Sequence, residues 1–250
     1  MFSISLVSLN IERSKHLDRV IPFLLERDPD VVCIQELLER DIPYFEKTFG
    51  MQCVFGPSGL HLASELETEP VMMMGSALLS RLPIGARKIE YYAGSEERAR
   101  RDAPQRVLHN SKLITCDVEK DASIFRIATT HFTWTPHGRP NDEQREDMRH
   151  LFKLLASAGE FVLAGDFNAP RGGEIFTAIA ERYKDNIPAK YTTSIDGSLH
   201  RAGNLQLMVD GIFSTPAYEV SDVELHTGIS DHCAITATIA KKLDRIVKMY

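Results

Sequence analysis

Cysteine is scarce in this sequence, and its few positions form no recognisable metal or redox pattern. Cys33, Cys53, Cys116 and Cys233 are scattered, with no CxxC pair and no cysteine–histidine cluster at zinc-ligand spacing. Their arrangement excludes a zinc finger or a dithiol motif as the source of function. We therefore expect four reduced thiols that belong to the core.

The chain also lacks an excess of positive charge. Lys and Arg total 29 against 35 Asp and Glu, which gives a formal net charge of -6. Proteins that hold long nucleic acid through many phosphate contacts usually carry the opposite sign. The balance argues against an extended duplex-binding surface, although it does not exclude local basic patches.

Long apolar runs are absent as well. No segment approaches the roughly 18 apolar residues of a membrane-spanning helix. The apolar stretch at residues 2–9 is interrupted by serines and lacks the flanks of a signal peptide. We expect a cytoplasmic protein with no transmembrane segment. Because no repeat or low-complexity linker divides the chain, we also expect a single domain, residues 1–250.

Segments with strand and helix patterns alternate along the chain, which favours an α/β architecture. Strands are predicted at residues 2–9, 31–34, 52–55, 71–79, 107–118, 124–130, 161–164, 207–213, 220–225 and 234–239. Helical spacing of apolar residues occurs at 14–26, 43–49, 143–155 and 174–180. Residues 56–69 are predicted as a polar loop, and the charge run at 96–101 as a solvated loop or helix face.

Polar side chains with catalytic potential recur where these apolar strands end. The set is Asn10, Gln35, Glu36, His131, Asp166, Asn168, Asp210, Asp231 and His232. Each alone is explained by a turn, an exposed acid or a core histidine. Together they indicate chemistry, because ligands of α/β proteins gather at strand ends. Carboxylates and carboxamides supply hard oxygen ligands for Mg²⁺, and histidines supply a charge partner and a proton donor.

Six segments in order resemble the signature of the endonuclease/exonuclease/phosphatase superfamily. They are residues 6–36, ending in PDVVCIQE, then GSALLSR at 75–81, TH at 130–131, GDFN at 165–168, VDGIF at 209–213 and SDH at 230–232. The resemblance covers about residues 3–239. It implies an α/β (α+β) four-layer sandwich, in which two mostly antiparallel mixed sheets pack face to face with helices outside.

The resemblance also implies a metal site. Glu36 would be the principal ligand of Mg²⁺, with Mn²⁺ as a substitute, and Asn10 and Asp231 would complete or support the metal shell. Glu12, two residues beyond Asn10, is a weaker accessory candidate that otherwise reads as an exposed turn residue.

Five further residues would form the catalytic group by the same resemblance. Asp166 and Asn168 would orient and activate the attacking water, while His131 and His232 would bind the scissile phosphate. Asp210 would hold His232 in position. Since Asp210 lies in an apolar strand, where an unpaired carboxylate is costly to bury, we expect it to hydrogen-bond the His232 imidazole.

The expected function is Mg²⁺-dependent hydrolysis of a phosphate ester or phosphodiester by an activated water. Abasic-site endonucleases of the family carry a tyrosine where this chain has His131, so the resemblance favours the histidine-containing branches. A DNA or RNA nuclease is the main alternative, and a non-catalytic binding protein is a third. Trp134 either stacks on substrate or packs half-buried, and Arg145 either reaches a phosphate or lies exposed on its helix. No protein partner is predicted.

Overall fold

The structure, a computed structural model, describes residues 2–61, 71–102 and 110–242. Its strands are β1 (Ser3–Asn10), β2 (Val31–Leu38), β3 (Gln52–His61), β4 (Met72–Ser80), β5 (Ile84–Tyr91), β6 (Lys112–Lys120), β7 (Ser123–His131), β8 (Val162–Asp166), β9 (Lys184–Asp185), β10 (Asp210–Ser214), β11 (Tyr218–His226) and β12 (Ala234–Lys241). The α-helices are α1 (Leu17–Arg27), α2 (Ile42–Phe49), α3 (Glu96–Arg101), α4 (Asp142–Ser157) and α5 (Glu174–Ala180).

The strands form two mixed sheets of six strands each. The first sheet has the order β11-β12-β1-β2-β4-β3, and the second has the order β5-β6-β7-β8-β10-β9. Each sheet contains one parallel pair, β1 with β2 and β7 with β8, and its other neighbours are antiparallel. A helix connects each parallel pair, α1 in the first sheet and α4 in the second, as parallel neighbours require.

Because successive side chains of a strand point to opposite faces of its sheet, the apolar residues form three clusters, which lie between the four layers of helices and sheets. The cluster between the sheets includes Leu6, Cys33, Ile127, Ala164 and Ile235. The outer cluster of the first sheet joins Val7 and Leu9 to residues of α1 and α2, and that of the second sheet joins Leu163 to residues of α4 and α5. Burying each Val, Leu or Ile side chain of these clusters contributes about 1.5–3 kcal/mol. The order helix, sheet, sheet, helix confirms the expected four-layer sandwich.

The first helix shows how local sequence sets these boundaries. Residues 12–16 form a turn, so α1 begins at Leu17 rather than at the predicted residue 14. It ends at Arg27 and is capped by Asp28, whose backbone is left-handed with φ of 46° and whose N–H donates to the Leu24 carbonyl. Pro29 follows and disfavours further helix at Asp28. The chain then enters β2 beside β1.

The sequence predictions also differ from the structure in several strands, and the short strand β9 was not predicted. Residues 56–61 belong to β3 instead of a loop, and residues 62–69 lie outside the described residues. The strand β5 was not predicted, because it is a largely exposed edge strand without an apolar pattern. The strand predicted at 207–213 begins only at Asp210. The strand predicted from residue 107 begins at Lys112, and residues 107–109 lie outside the described part.

Two compositional expectations can be compared with the structure. Cys33, Cys116 and Cys233 are buried and Cys53 is half-buried, all as free thiols, and burial raises the pKa of each to about 12. Among the described residues, no helix is long and apolar enough to cross a membrane.

Candidate active site

One row of side chains crosses the second sheet from strand to strand. His131 at the end of β7 lies opposite Asp166 at the end of β8, and Asp210 at the start of β10 lies opposite Asp166 on its other side. Directly opposed residues project from the same face of a sheet. That face is the one turned toward the first sheet, since Ile127 and Ala164, which share it, belong to the inter-sheet cluster. The register therefore brings three of the predicted residues together.

The first sheet presents Asn10 and Glu36 at the ends of its parallel pair. β2 contains a bulge between Ile34 and Leu37, and Glu36 within it has a left-handed backbone with φ of 61°. Such a conformation costs a non-glycine residue of order 1–3 kcal/mol. Bulges of this kind re-aim side chains next to functional sites. The bulge and the strained backbone at Glu36 place its carboxylate at the seam, the space between the two sheets, where it accepts a hydrogen bond from Asn10.

Asn10 joins the two halves of the site. Its side-chain amide donates to Glu36 Oε1 at 3.3 Å and, across the seam, to Asp166 Oδ2 at 3.1 Å. Its Oδ1 accepts the backbone N–H of Glu12 at 3.1 Å. The buried amide thus fixes the spacing between the expected metal side and the expected water-activating side.

The hydrogen bond predicted between Asp210 and His232 is present. His232 Nδ1 lies 2.7 Å from Asp210 Oδ2, although 22 positions separate the two residues. Burial alone would lower the pKa of His232, but Asp210 and Asp166 outweigh it and hold the pKa well above its usual value. Burial also raises the pKa of Asp210, so the pair competes for one proton. We assign that proton to His232, because two carboxylates face its ring.

Ser194 was missed by the sequence predictions and secures this pair. It is fully buried, and its Oγ accepts the backbone N–H groups of Val209 and Asp210 at 3.0 and 3.1 Å. Its carbonyl accepts the N–H of Cys233, the residue after His232. One serine in an irregular segment therefore ties both members of the pair together. No pattern in the sequence marked it.

Asp166 is surrounded by groups that favour its ionised form. His131 Nε2 and His232 Nε2 lie 3.4 and 3.8 Å from Asp166 Oδ2, and the N–H of Asn168 donates to Oδ1 at 2.8 Å. Burial would raise the pKa of Asp166, but His232, His131 and Asn168 together lower it to about 2. The carboxylate is therefore a permanent hydrogen-bond acceptor at the centre of the site.

The remaining polar groups extend this arrangement. Asn168 has a left-handed backbone with φ of 48°, and its amide donates to the Phe132 carbonyl at 2.8 Å. Burial alone would lower the pKa of His131, but Asp166 and Glu36 outweigh it and raise the pKa above its usual value. Two imidazoles with raised pKa values next to one carboxylate form a cationic face suited to an anion.

The metal-ligand candidates form an acidic group on the opposite side. Burial raises the pKa of Asp231 to about 6, and Glu12 and Glu36 add to the effect. The interpretation of Glu12 as an exposed turn residue is wrong, because it is 8% exposed and pairs with Arg13, Lys15 and His16. Carboxylates that raise one another's proton affinity, with the Asn10 amide beside Glu36, fit a hard divalent cation, which would relieve their repulsion.

A second set of groups could hold a cation by distance alone. Ligand atoms of Asp166, Asp210 and His232 lie within 4.8 Å of one another. However, Asp210 Oδ2 is bonded to His232 Nδ1, and Asp166 Oδ2 accepts from Asn10 and faces both imidazoles. These carboxylates are already neutralised by protein cations. We therefore favour Asn10, Glu36 and Asp231 as the metal side.

The loop after His131 is anchored from beneath by α4. Gln144 Nε2 donates to the Thr133 carbonyl at 2.8 Å, and the Thr133 hydroxyl donates to Asp147 at 2.5 Å. Trp134 projects from this loop with 45% of its surface exposed, so it is not a core residue. Arg145 is held by a two-pronged ion pair with Glu174, on an exposed helix face rather than in the site.

Comparisons with known proteins agree with this architecture. The model of the Endonuclease/Exonuclease/phosphatase family matches residues 7–232. A comparison with curated protein sequences finds no match. Several solved structures share the fold at low sequence identity. An endonuclease/exonuclease/phosphatase from Beutenbergia cavernae DSM 12333 aligns with a TM-score of 0.73 and 16% identity, covering 96% of this chain and 72% of its own.

Two further relatives have named activities or ligands of their own. The human Nocturnin catalytic domain, solved with a bound sulfate anion, aligns with a TM-score of 0.71 and 17% identity, covering 96% and 95% of the two chains. A mannosyl-6-phosphatase from Bacteroides thetaiotaomicron VPI-5482 aligns with a TM-score of 0.69 and 11% identity, covering 95% and 100%. At such identities the likeness establishes the fold. Because the family model matches most of the sequence, this chain belongs to the endonuclease/exonuclease/phosphatase family, whose members hydrolyse phosphate esters.

Proposed function

We propose that the protein is a Mg²⁺-dependent phosphoesterase in which an activated water attacks the phosphorus of a phosphate ester or phosphodiester. The observation that carries the proposal is the bridge from Asn10 to both Glu36 and Asp166. It couples an acidic, metal-suited group to a carboxylate flanked by two imidazoles. Phosphoryl transfer depends mainly on positioning and on stabilising charge, and this arrangement offers both.

Glu36 and Asp231 would hold Mg²⁺, with Asn10 supporting them, and Mn²⁺ would substitute. The bound cation would neutralise negative charge on the phosphate. Asp166 accepts a hydrogen bond from the water and orients it, because its own pKa is low and its carboxylate is fixed by the N–H of Asn168. In-line attack is favoured when this water cannot rotate away.

The histidines act on the phosphate next to Asp166. His131 and His232 present N–H groups to the phosphate oxygens, where negative charge builds during the reaction. His232 keeps its proton through Asp210, which also fixes the ring so that Nε2 faces Asp166 and the phosphate. The same proton is available to the departing alkoxide oxygen.

The substrate we favour is a small or locally single-stranded phosphoester. The net charge of -6 supports a compact anionic ligand more than an extended duplex. The sulfate bound by the Nocturnin domain is the tetrahedral anion that this cationic face suits. A DNA or RNA nuclease is the second candidate, supported by the exposed Trp134, since aromatic faces stack on bases regardless of sequence. We further propose that the chain acts as a single domain in the cytoplasm.

A substrate screen with purified protein tests the function. Turnover should be measured with Mg²⁺, Mn²⁺ or excess chelator on single- and double-stranded nucleic acids, sphingomyelin, inositol phosphates and a generic phosphodiester. We expect hydrolysis that disappears with chelator and returns with either metal. Glu36→Gln should abolish it. The control Glu46→Gln should not, because Glu46 lies on α2 and accepts the N–H of Cys53. Full turnover in chelator would contradict the proposal.

A further inference from the structure

Lys112 extends the row of active-site residues by one strand. β6 and β7 are antiparallel with Leu113 opposite Thr130, so Lys112 lies opposite His131, and Tyr91 of β5 lies opposite Lys112. Cross-strand neighbours in one row share a face and have Cβ atoms about 5 Å apart. Lys112 therefore points into the seam next to His131, on the side away from Asp166.

The environment of this lysine is unusual. Its surface is 1% exposed, although lysine is almost never fully buried unless it is paired. Its ammonium donates to Ser58 Oγ and to the Asn110 carbonyl at 3.4 Å, and it lies 5.8 Å from the centre of the Tyr91 ring. All three partners are uncharged. Among the residues that the structure describes, no carboxylate pairs with Lys112 or raises its pKa.

The surrounding backbone leaves room for this side chain. A Cβ on Gly56 of β3 would lie 3.1 and 3.2 Å from Cε and Cδ of Lys112. A glycine at this point of the first sheet thus lets the long side chain run between the sheets. The titratable groups facing the amine from the described elements are Tyr91 on β5 and His131 on β7. Neither of them supplies a negative charge near neutral pH.

We propose that Lys112 is an anion-responsive lysine, which is neutral in the free protein and takes up a proton when a phosphate-bearing ligand binds beside His131. The inference rests on the proposed phosphate-binding role of His131. Burial lowers the pKa of Lys112 to about 7, which agrees with a neutral amine at slightly alkaline pH. A bound dianion next to His131 supplies the missing opposite charge and favours the protonated form. Proton uptake from solvent then accompanies binding.

The function of such a residue is selection by charge. A neutral ligand gains nothing from Lys112, whereas a phosphate beside His131 gains the attraction of a further cation on the neighbouring strand. Binding therefore tightens as pH falls through the range in which Lys112 titrates. The proton on Lys112 also lowers the proton affinity of His131, which opposes the rise in that affinity that the bound dianion causes.

Calorimetry with sulfate tests the proposal without requiring turnover. Sulfate is a dianion that does not titrate near neutral pH. The protein is titrated with sulfate at pH 8 in the presence of Mg²⁺, in Tris and in HEPES, whose ionisation enthalpies differ. The difference in measured enthalpy gives the number of protons taken up. We expect close to one proton per sulfate in the wild type, and the loss of most of it in Lys112→Met.

Three comparisons separate this role from others. Lys112→Arg keeps a permanent cation, so it should bind sulfate without the proton, and it remains informative if Lys112→Met does not fold. Lys120→Met, in which a lysine of the same strand paired with Asp30 is removed, should take up the proton as the wild type does. At pH 6, Lys112→Met should bind sulfate about tenfold more weakly than the wild type.

Several outcomes overturn the inference. Proton uptake that is unchanged in Lys112→Met and Lys112→Arg would belong to the histidines. A wild type that binds sulfate without proton uptake, or binds none, would leave Lys112 a structural residue. The failure of the proposed function would be distinct, because a protein that hydrolyses no phosphoester can still show sulfate-linked uptake at Lys112.

Discussion

Replacing Lys112 with methionine should stabilise the protein, and by an amount that depends on pH. Methionine has similar length and flexibility, so it fills the same space between the sheets without a charge. Burial lowers the pKa of the lysine from 10.5 to about 7. Each tenfold change in proton affinity corresponds to about 1.4 kcal/mol, so the buried ammonium costs the folded protein roughly 5 kcal/mol.

The sign follows from proton binding in the two states. Below pH 7 the lysine is protonated in both states, and the full cost is present. Between pH 7 and pH 10.5 the unfolded chain binds the proton but the folded protein does not, so stability rises with pH. Above that range both forms are neutral and the cost is gone. The advantage of Lys112→Met over the wild type should therefore shrink by about 4 kcal/mol between pH 7 and pH 10.

Urea unfolding at a series of pH values measures this difference directly. Groups that titrate equally in both proteins cancel when the two curves are subtracted. Lys120→Met is the matched control on the same strand: Lys120 is one-third exposed and contacts Asp30, and its removal should give no such slope. A difference between Lys112→Met and the wild type that stays constant from pH 7 to pH 10 would refute the reasoning, because it would mean that the buried amine keeps its proton.

Three further perturbations follow from the site. Asp166→Asn should lower kcat by about two orders of magnitude with little change in KM, since orienting the water matters mainly in the transition state; a change confined to KM would indicate a substrate contact instead. Asp210→Asn and His232→Ala should be strongly non-additive in a double-mutant cycle of kcat/KM, and additive losses would mean that the pair does not act as a unit. Ser194→Ala leaves two buried N–H groups without their acceptor and should lower the free energy of unfolding by about 1–3 kcal/mol, measured in urea; an unchanged midpoint would contradict its positioning role.

Much of the fold was accessible from the sequence because its strands are buried. β1, β2 and β8 read as apolar runs, since both faces of these central strands pack against other layers. β5 gave no such signal. It lies at a sheet edge, and its charged residues face solvent. The apolar pattern of a sequence indicates which residues are buried, but it does not indicate which backbone groups are hydrogen-bonded. An exposed edge strand therefore cannot be distinguished from a loop by sequence alone.

The residues of the candidate site also differ in whether the sequence predicts them. Residues with an evident chemical type at strand ends, such as Glu36 and Asp166, were predicted, and the structure brings all eight predicted residues to one seam. Ser194 and Lys112 were not. Serine is common in loops, and a lysine at the start of an apolar strand ordinarily reaches solvent. What distinguishes them is complete burial, which depends on how the sheets pack and not on local sequence.

The position of β1 also determines when the site can exist. β1 holds Asn10 but pairs on one side with β12, which is made more than 220 residues later. Pairings of such long sequence separation form slowly, because chain entropy is lost before contacts repay it. A nascent chain that has been synthesised only as far as β11 lacks β12. This strand is a direct neighbour of β1 in the first sheet, and it follows Asp231 and His232 in the chain. If the proposed hydrolysis is correct, the protein should remain inactive on the ribosome until β12 emerges.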